Sequence, residues 1–155
     1  MAASHDSEDR PTPEQVGAHM YAADRASQSL GMRIVALGAG TARLEMAVRD
    51  DMLNGHAICH GGFITTLADS AFAFACNSRN QLTVAAGLTV DFLAPVERGD
   101  VLTADAVEVS RSGRTGVYDI VVTNRAGGRV ALVRGRSATL SGRTVMPVDA
   151  TEERR

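Results

Sequence analysis

Residues 53–78 read LNGHAICHGGFITTLADSAFAFACNS, and this stretch limits the fold more than any other part of the chain. It opens as a loop carrying Asn54, His56 and His60, and turns through Gly61 and Gly62. From Phe63 to Cys76 it is apolar or small, and Asp69 is the only formal charge. The run is long enough for a helix of several turns. Phe63, Ile64, Leu67, Ala68, Ala71, Phe72, Phe74 and Ala75 cover the full helical circle. A helix apolar on every side belongs inside a larger structure. A carboxylate there is unfavourable unless it is paired, hydrogen-bonded or used by a site.

The flanking chain says what surrounds that helix. Thr12 or Pro13 opens a helix, with Glu14 in its first turn and Gly31 as its stop. It reads as an amphipathic cover, or alternatively as a flap over a ligand site. Met32–Leu37 and Thr41–Val48 are strands joined by a glycine-rich turn, a hairpin. Four more strand-like runs follow the central helix: 83–93, 101–110, 116–123 and 130–140. The links VERGD, RSGRT and NRAGG are short and contain glycine, so successive runs are expected to be antiparallel neighbours. Strands with a segregated helix give an α+β fold with an antiparallel sheet. One flat sheet cannot cover such a helix. A strongly curved sheet supplies much of the cover, and a second subunit could supply the rest. Residues 1–12 read as a disordered extension, 13–142 as a single domain and 143–155 as a flexible tail.

Composition narrows the function classes. The chain has 155 residues, 45% of them hydrophobic and 22% charged, as expected for one globular domain. A net charge of −2 gives no electrostatic footprint for nucleic acid or an anionic membrane. All 16 basic residues are Arg, so a phosphate would be met by Arg or by backbone N–H groups. Cys59 and Cys76 fit neither a metal spacing nor a disulfide framework. The first residues lack an apolar signal segment, and no run approaches the ~18 apolar residues of a membrane span. A cytoplasmic location is the default expectation.

Three features of the central stretch carry chemistry. Gly61 and Gly62 lie at a helix N-terminus, where N–H groups lack intrahelical partners and the dipole is positive. Without Cβ atoms a ligand can come close, as an oxyanion site requires. A tight turn that merely needs glycine accounts for the pair equally well. Asp69 is a lone carboxylate eight positions beyond Gly61, roughly 12 Å along a helix axis. The two reach one reacting atom only if antiparallel chains bring Asp69 of one to Gly61 of the other. A structural Asp capping backbone N–H groups is the alternative. Asn54, His56 and His60 cluster before the turn. The His pair has helical metal spacing, but Gly55 and the loop context argue against a metal site. No serine or cysteine nucleophile motif, dinucleotide fingerprint or P-loop is present.

MLNGHAICHGG, LADSAFAFACNS, TVDFLAP and TGVYDI together resemble the hotdog-fold thioesterases of phenylacetic acid degradation, over about residues 13–142. H-G-G followed by L-A-D on one helix is the specific part. The resemblance implies a curved antiparallel β-sheet wrapped around a long central α-helix. It implies an acyl-CoA thioesterase that cleaves aryl-acetyl-CoA esters, in particular (hydroxy)phenylacetyl-CoA. It gives Asp69 the part of general base or nucleophile and Gly61 the N–H that polarises the carbonyl. Asn54 positions thioester or water, and His60 orients the start of the helix. It also implies two sites per homodimer, with Gly61 and Asp69 from opposite chains, and pairing of dimers into a homotetramer. No cofactor is implied, since coenzyme A belongs to the substrate. The rival readings are a non-catalytic acyl-CoA-binding protein and an enoyl-CoA hydratase-like enzyme, the latter without a histidine a few residues beyond Asp69.

Overall fold

The computed structural model describes residues 10–148. Helix α1 spans Pro13–Ala23 and α2 Arg25–Ser29. Strands β1 (Arg33–Gly38) and β2 (Thr41–Ala47) follow, then a short 3-10 turn at Asp50–Met52 and the central helix α3 (Gly61–Cys76). Strands β3 (Gln81–Phe92), β4 (Val101–Ser112), β5 (Thr115–Thr123) and β6 (Arg129–Thr144) complete the chain. The six strands form one antiparallel sheet in the order β1-β2-β4-β5-β6-β3.

Period-two burial explains the sheet. Leu44, Met46, Leu102, Ala104, Ile120 and Val122 point inward and are essentially inaccessible, while their neighbours face out. Register shifts in the β1–β2, β3–β6, β4–β5 and β5–β6 pairs mark bulges that bend the strands. The sheet curves far enough for α3 to touch all six strands. The β1–β2 turn closes at Gly38 and Thr41, with Gly40 at φ +74°, a left-handed conformation that glycine adopts freely.

Three expectations need correction. β3 and β4 are not neighbours, because β5 and β6 lie between them. Their link passes the start of α3, where the Cys59 N–H donates to the Val96 carbonyl at 2.7 Å. It returns along β2, with Val48 N–H donating to Asp100 at 2.8 Å. A short glycine-bearing link therefore serves as a crossover here, anchored by buried Val96. The first helix is two helices, broken at Asp24, which caps the second. The described part of the tail is tied down: β6 continues to Thr144, and the Met146 N–H donates to the Asn80 side chain at 2.8 Å. The remaining terminal expectations fall on residues 1–9 and 149–155, outside the described residues.

Helix α3 buries Leu67, Ala68, Ala71, Phe72 and Ala75 completely. Phe72 meets the ring of Tyr118 edge-on at 5.3 Å. The helix is nonetheless not covered all round. Gly62, Thr65, Thr66, Asp69 and Ala73 recur at helical spacing and stay partly or fully open. The threonine hydroxyls bond back to the carbonyls of Gly61 and Gly62 at 2.8 Å each, so this stripe is low and needs no partner from the sheet. At the far end, buried Asn77 donates to the carbonyls of Ala73 and Thr83 and accepts from the Thr83 N–H, each at 2.9 Å. Those bonds fix where β3 begins relative to α3.

Candidate active site

The loop before α3 is built around Asn54. Its Oδ1 accepts from the His56 N–H at 2.9 Å and the Ile58 N–H at 3.4 Å, while its backbone pairs with Ile58. Its amide NH₂ has no protein partner among the described residues and is free for a ligand. His56 stands on the exposed tip and shares no cluster of metal-ligating side chains among the described residues. Leu53 and Cys59 bridge across the base of the loop.

His60 is the N-cap of α3, and its Nδ1 accepts from the Gly62 N–H at 2.9 Å. An accepting Nδ1 places the ring proton on Nε2. The capping bond consumes the Gly62 N–H and leaves that of Gly61, in the first helical position, without an intrahelical acceptor. The helix dipole favours a developing negative charge there. Gly61 is needed for a close approach, since a Cβ on it would stand 2.7 Å from the ring of Phe92. Gly61, Asn54, Ile58, Phe92, Leu93 and Pro95 line a cleft of about 460 Å³. Phe92 and Leu93 are 54% and 51% exposed, so this wall is still open.

Asp69 lies elsewhere, two turns along α3 on the open stripe. It is half-buried, and no hydrogen bond or ion pair engages its carboxylate among the described residues. Burial holds its pKa above the ordinary carboxylate value, and the nearby Asp24 carboxylate pushes the same way. Neither cysteine competes as a nucleophile. Burial raises both thiols, that of Cys76 to about 12, and Cys59 is 4% exposed. The fold thus gathers Asn54, His60 and Gly61 at one end of α3 and sets Asp69 apart from them in the same chain.

The thioesterase superfamily model matches residues 56–131, which run from the site loop into β6. The acyl-coenzyme A thioesterase PaaI of Escherichia coli strain K12 is 46% identical over 123 residues, covering 79% of this chain and 88% of that protein. The chain belongs to the thioesterase superfamily. Its hotdog architecture agrees with the solved structure of the E. coli PaaI protein from the phenylacetic acid degradation operon, at a TM-score of 0.83 and 44% identity. That match covers 85% of this chain and 95% of the other. A Streptococcus mutans protein solved with acetyl CoA aligns at a TM-score of 0.70 and 26% identity, over 73% of this chain and 91% of that one.

Sequence reasoning found the loop, the helix start and the lone carboxylate. It missed Phe92 as the ring against Gly61, visible only as part of the TVDFLAP strand. It also missed Asp24, Ser27 and Ser70. Their contact joins hydroxyls 43 positions apart and leaves no periodic trace.

Proposed function

We propose that the protein is an acyl-CoA thioesterase acting on aryl-acetyl-CoA esters, with (hydroxy)phenylacetyl-CoA as the leading substrate, in phenylacetate degradation. One observation carries the reading. The donor for an oxyanion and the carboxylate for a base are both present and unengaged, yet they sit on separate parts of one chain. A second copy brings Asp69 to Gly61. β3 offers the edge for that pairing. It is 12 residues long and terminal in the sheet, and Val84, Phe92 and Leu93 stand 44–54% exposed at or just beyond it. A long, mostly apolar edge without proline, whose one charge is Asp91 near its end, is a template for another strand. Pairing of dimers into a tetramer is the expected assembly. The names of the E. coli relative and the acetyl-CoA-bound neighbour support the substrate class.

In the proposed step the thioester carbonyl oxygen lies on the Gly61 N–H, and the Asn54 amide holds thioester or water. Asp69 from the other chain takes a proton from water as the water oxygen bonds to the carbonyl carbon, or attacks that carbon itself, in which case the mixed anhydride left after C–S cleavage is hydrolysed by water to free the acid and the carboxylate. Collapse breaks the C–S bond, and coenzyme A leaves as a thiolate that is then protonated. His60 fixes the helix start so that Gly61 rather than Gly62 supplies the donor. Cofactor-free hydrolysis and a cytoplasmic setting belong to the same proposal; no helix among the described residues is long and apolar enough to cross a membrane.

The test is thiol release from phenylacetyl-CoA, its ring-hydroxylated forms and straight-chain acyl-CoAs. The expected result is preference for the aryl-acetyl esters and a loss of about 10²-fold or more in kcat for Asp69→Asn, the size of a general-base contribution. Near wild-type kcat in that variant contradicts the role of Asp69. Tight binding without release from any thioester favours a non-catalytic acyl-CoA-binding protein.

A further inference from the structure

The two N-terminal helices take no part in the step above, yet they lie against the helix that carries Asp69. Tyr21 sets its ring 6.4 Å from that of Phe74 on α3 and donates its hydroxyl to the Met32 carbonyl at 2.6 Å. The helices break at Asp24, whose carboxylate accepts from the Ser27 N–H at 2.9 Å and the Ser27 hydroxyl at 2.6 Å. Ser27 is completely buried. Its Oγ lies 2.8 Å from the Oγ of Ser70, the residue after Asp69 on α3. A serine hydroxyl has one proton, and that of Ser27 goes to Asp24, so Ser70 donates to Ser27. A directed relay therefore runs from α3 to a carboxylate on the N-terminal segment.

A cap alone does not require this arrangement. Asn or Ser would cap α2 about as well without placing a charge near Asp69. Asp69 has no donor of its own among the described residues. The charge acting on it is Asp24 from the N-terminal segment; the Cys76 thiol on α3, itself pushed up by burial and by Asp69, stays neutral. That negative charge is thus supplied from outside the helix and held by two partly buried hydrogen bonds.

We propose that Asp24 is a positioning residue for the reaction: through Ser27 and Ser70 it seats the N-terminal helices on α3 and holds its carboxylate on the stretch of α3 that carries Asp69. This rests on the reading of Asp69 as the base or nucleophile. The segment is then part of the catalytic apparatus rather than a passive cover. A like charge disfavours the ionised form, so it strengthens the base at the pH where that base is deprotonated.

Asp24→Asn keeps a competent cap and removes the charge. The full-length protein, labelled with ¹³C at the aspartate carboxyl carbons, is titrated by NMR with and without the substitution. The Asp69 midpoint is expected to fall in Asp24→Asn, and the acid limb of kcat to move to lower pH with KM unchanged. An Asp69 midpoint that does not move overturns the proposal. The titration reads the coupling whether or not Asp69 takes part in hydrolysis. Failure of the base assignment, seen in the Asp69→Asn assay, is therefore distinguishable from failure of the coupling. Ser70→Ala tests the seat separately. Faster amide hydrogen exchange in residues 13–29 supports it, and unchanged exchange overturns it.

Discussion

An ionised carboxylate half-buried on α3 without a donor raises the free energy of the folded chain. Because burial and Asp24 raise the Asp69 pKa on folding, the folded chain binds that proton more tightly than the unfolded chain. The unfavourable contribution is present above the folded pKa and is relieved as pH falls through it. Asp69→Asn is therefore expected to lose turnover and to raise Tm at neutral pH by about 2–4 °C, a stability–activity exchange common at active sites. Thermal denaturation at neutral and acidic pH checks this, and the difference should shrink in acid, where Asp69 is itself neutral. Activity in the wild type runs the other way and falls with pH as the base is protonated. At this scale the lone Asp69 and the glycine pair stood out in the sequence, because a single charge in an apolar run and two glycines at a helix start are local patterns, whereas the parts given to Asn54 and His60 came from the family resemblance. The division of labour between Gly61 and Gly62 was not legible. It depends on which N–H the His60 ring takes, and that is set by the φ and ψ of the cap.

The secondary elements were mostly readable, while their neighbours were not. Alternation was clear in β2, and β2, β4, β5 and β6 each bury one face, whereas β1 and β3 carry no such buried stripe. Loop length misled at the β3–β4 link, because Pro95 and buried Val96 turn the chain past α3 instead of back along β3. Pairing of β3 with β6 is a non-local consequence of the sheet curving around α3, which short-range patterns do not encode. Asn77 shows how the junction is held. Its side chain satisfies both the N–H and the carbonyl of Thr83 and one carbonyl at the end of α3. Asn77→Ala leaves those buried groups unpaired and is expected to destabilise the protein by about 2–4 kcal/mol. Urea denaturation measures that loss; a change within about 0.5 kcal/mol, as at an ordinary surface position, would mean that the junction is held by other contacts.

On the proposed reading, a single chain holds only half of each site. Its cleft holds Gly61, Asn54 and exposed aromatic wall, and its carboxylate opens on another stretch of the same helix. In the proposed dimer, the edge of β3 and the open stripe of α3 are the two surfaces that the second copy covers. The apolar run led to the expectation that α3 needs cover on every side, and it did not reveal which stripe stays open, since that follows from how far the sheet wraps. The most direct test is complementation between two inactive variants. Gly61→Pro removes the N–H, and its Cβ also displaces the exposed Phe92 ring of the same site; it suits the first helical position, and His60 already has the extended backbone that a following proline prefers. Asp69→Asn removes the base. Co-expressed with different tags and purified through both, the mixed dimer carries one site with both lesions and one with neither. The account predicts about half of wild-type turnover from the mixed species while each parent alone is inactive. Turnover no higher than the parents, from a mixed dimer that is folded and intact, would contradict a site shared between Gly61 of one chain and Asp69 of the other.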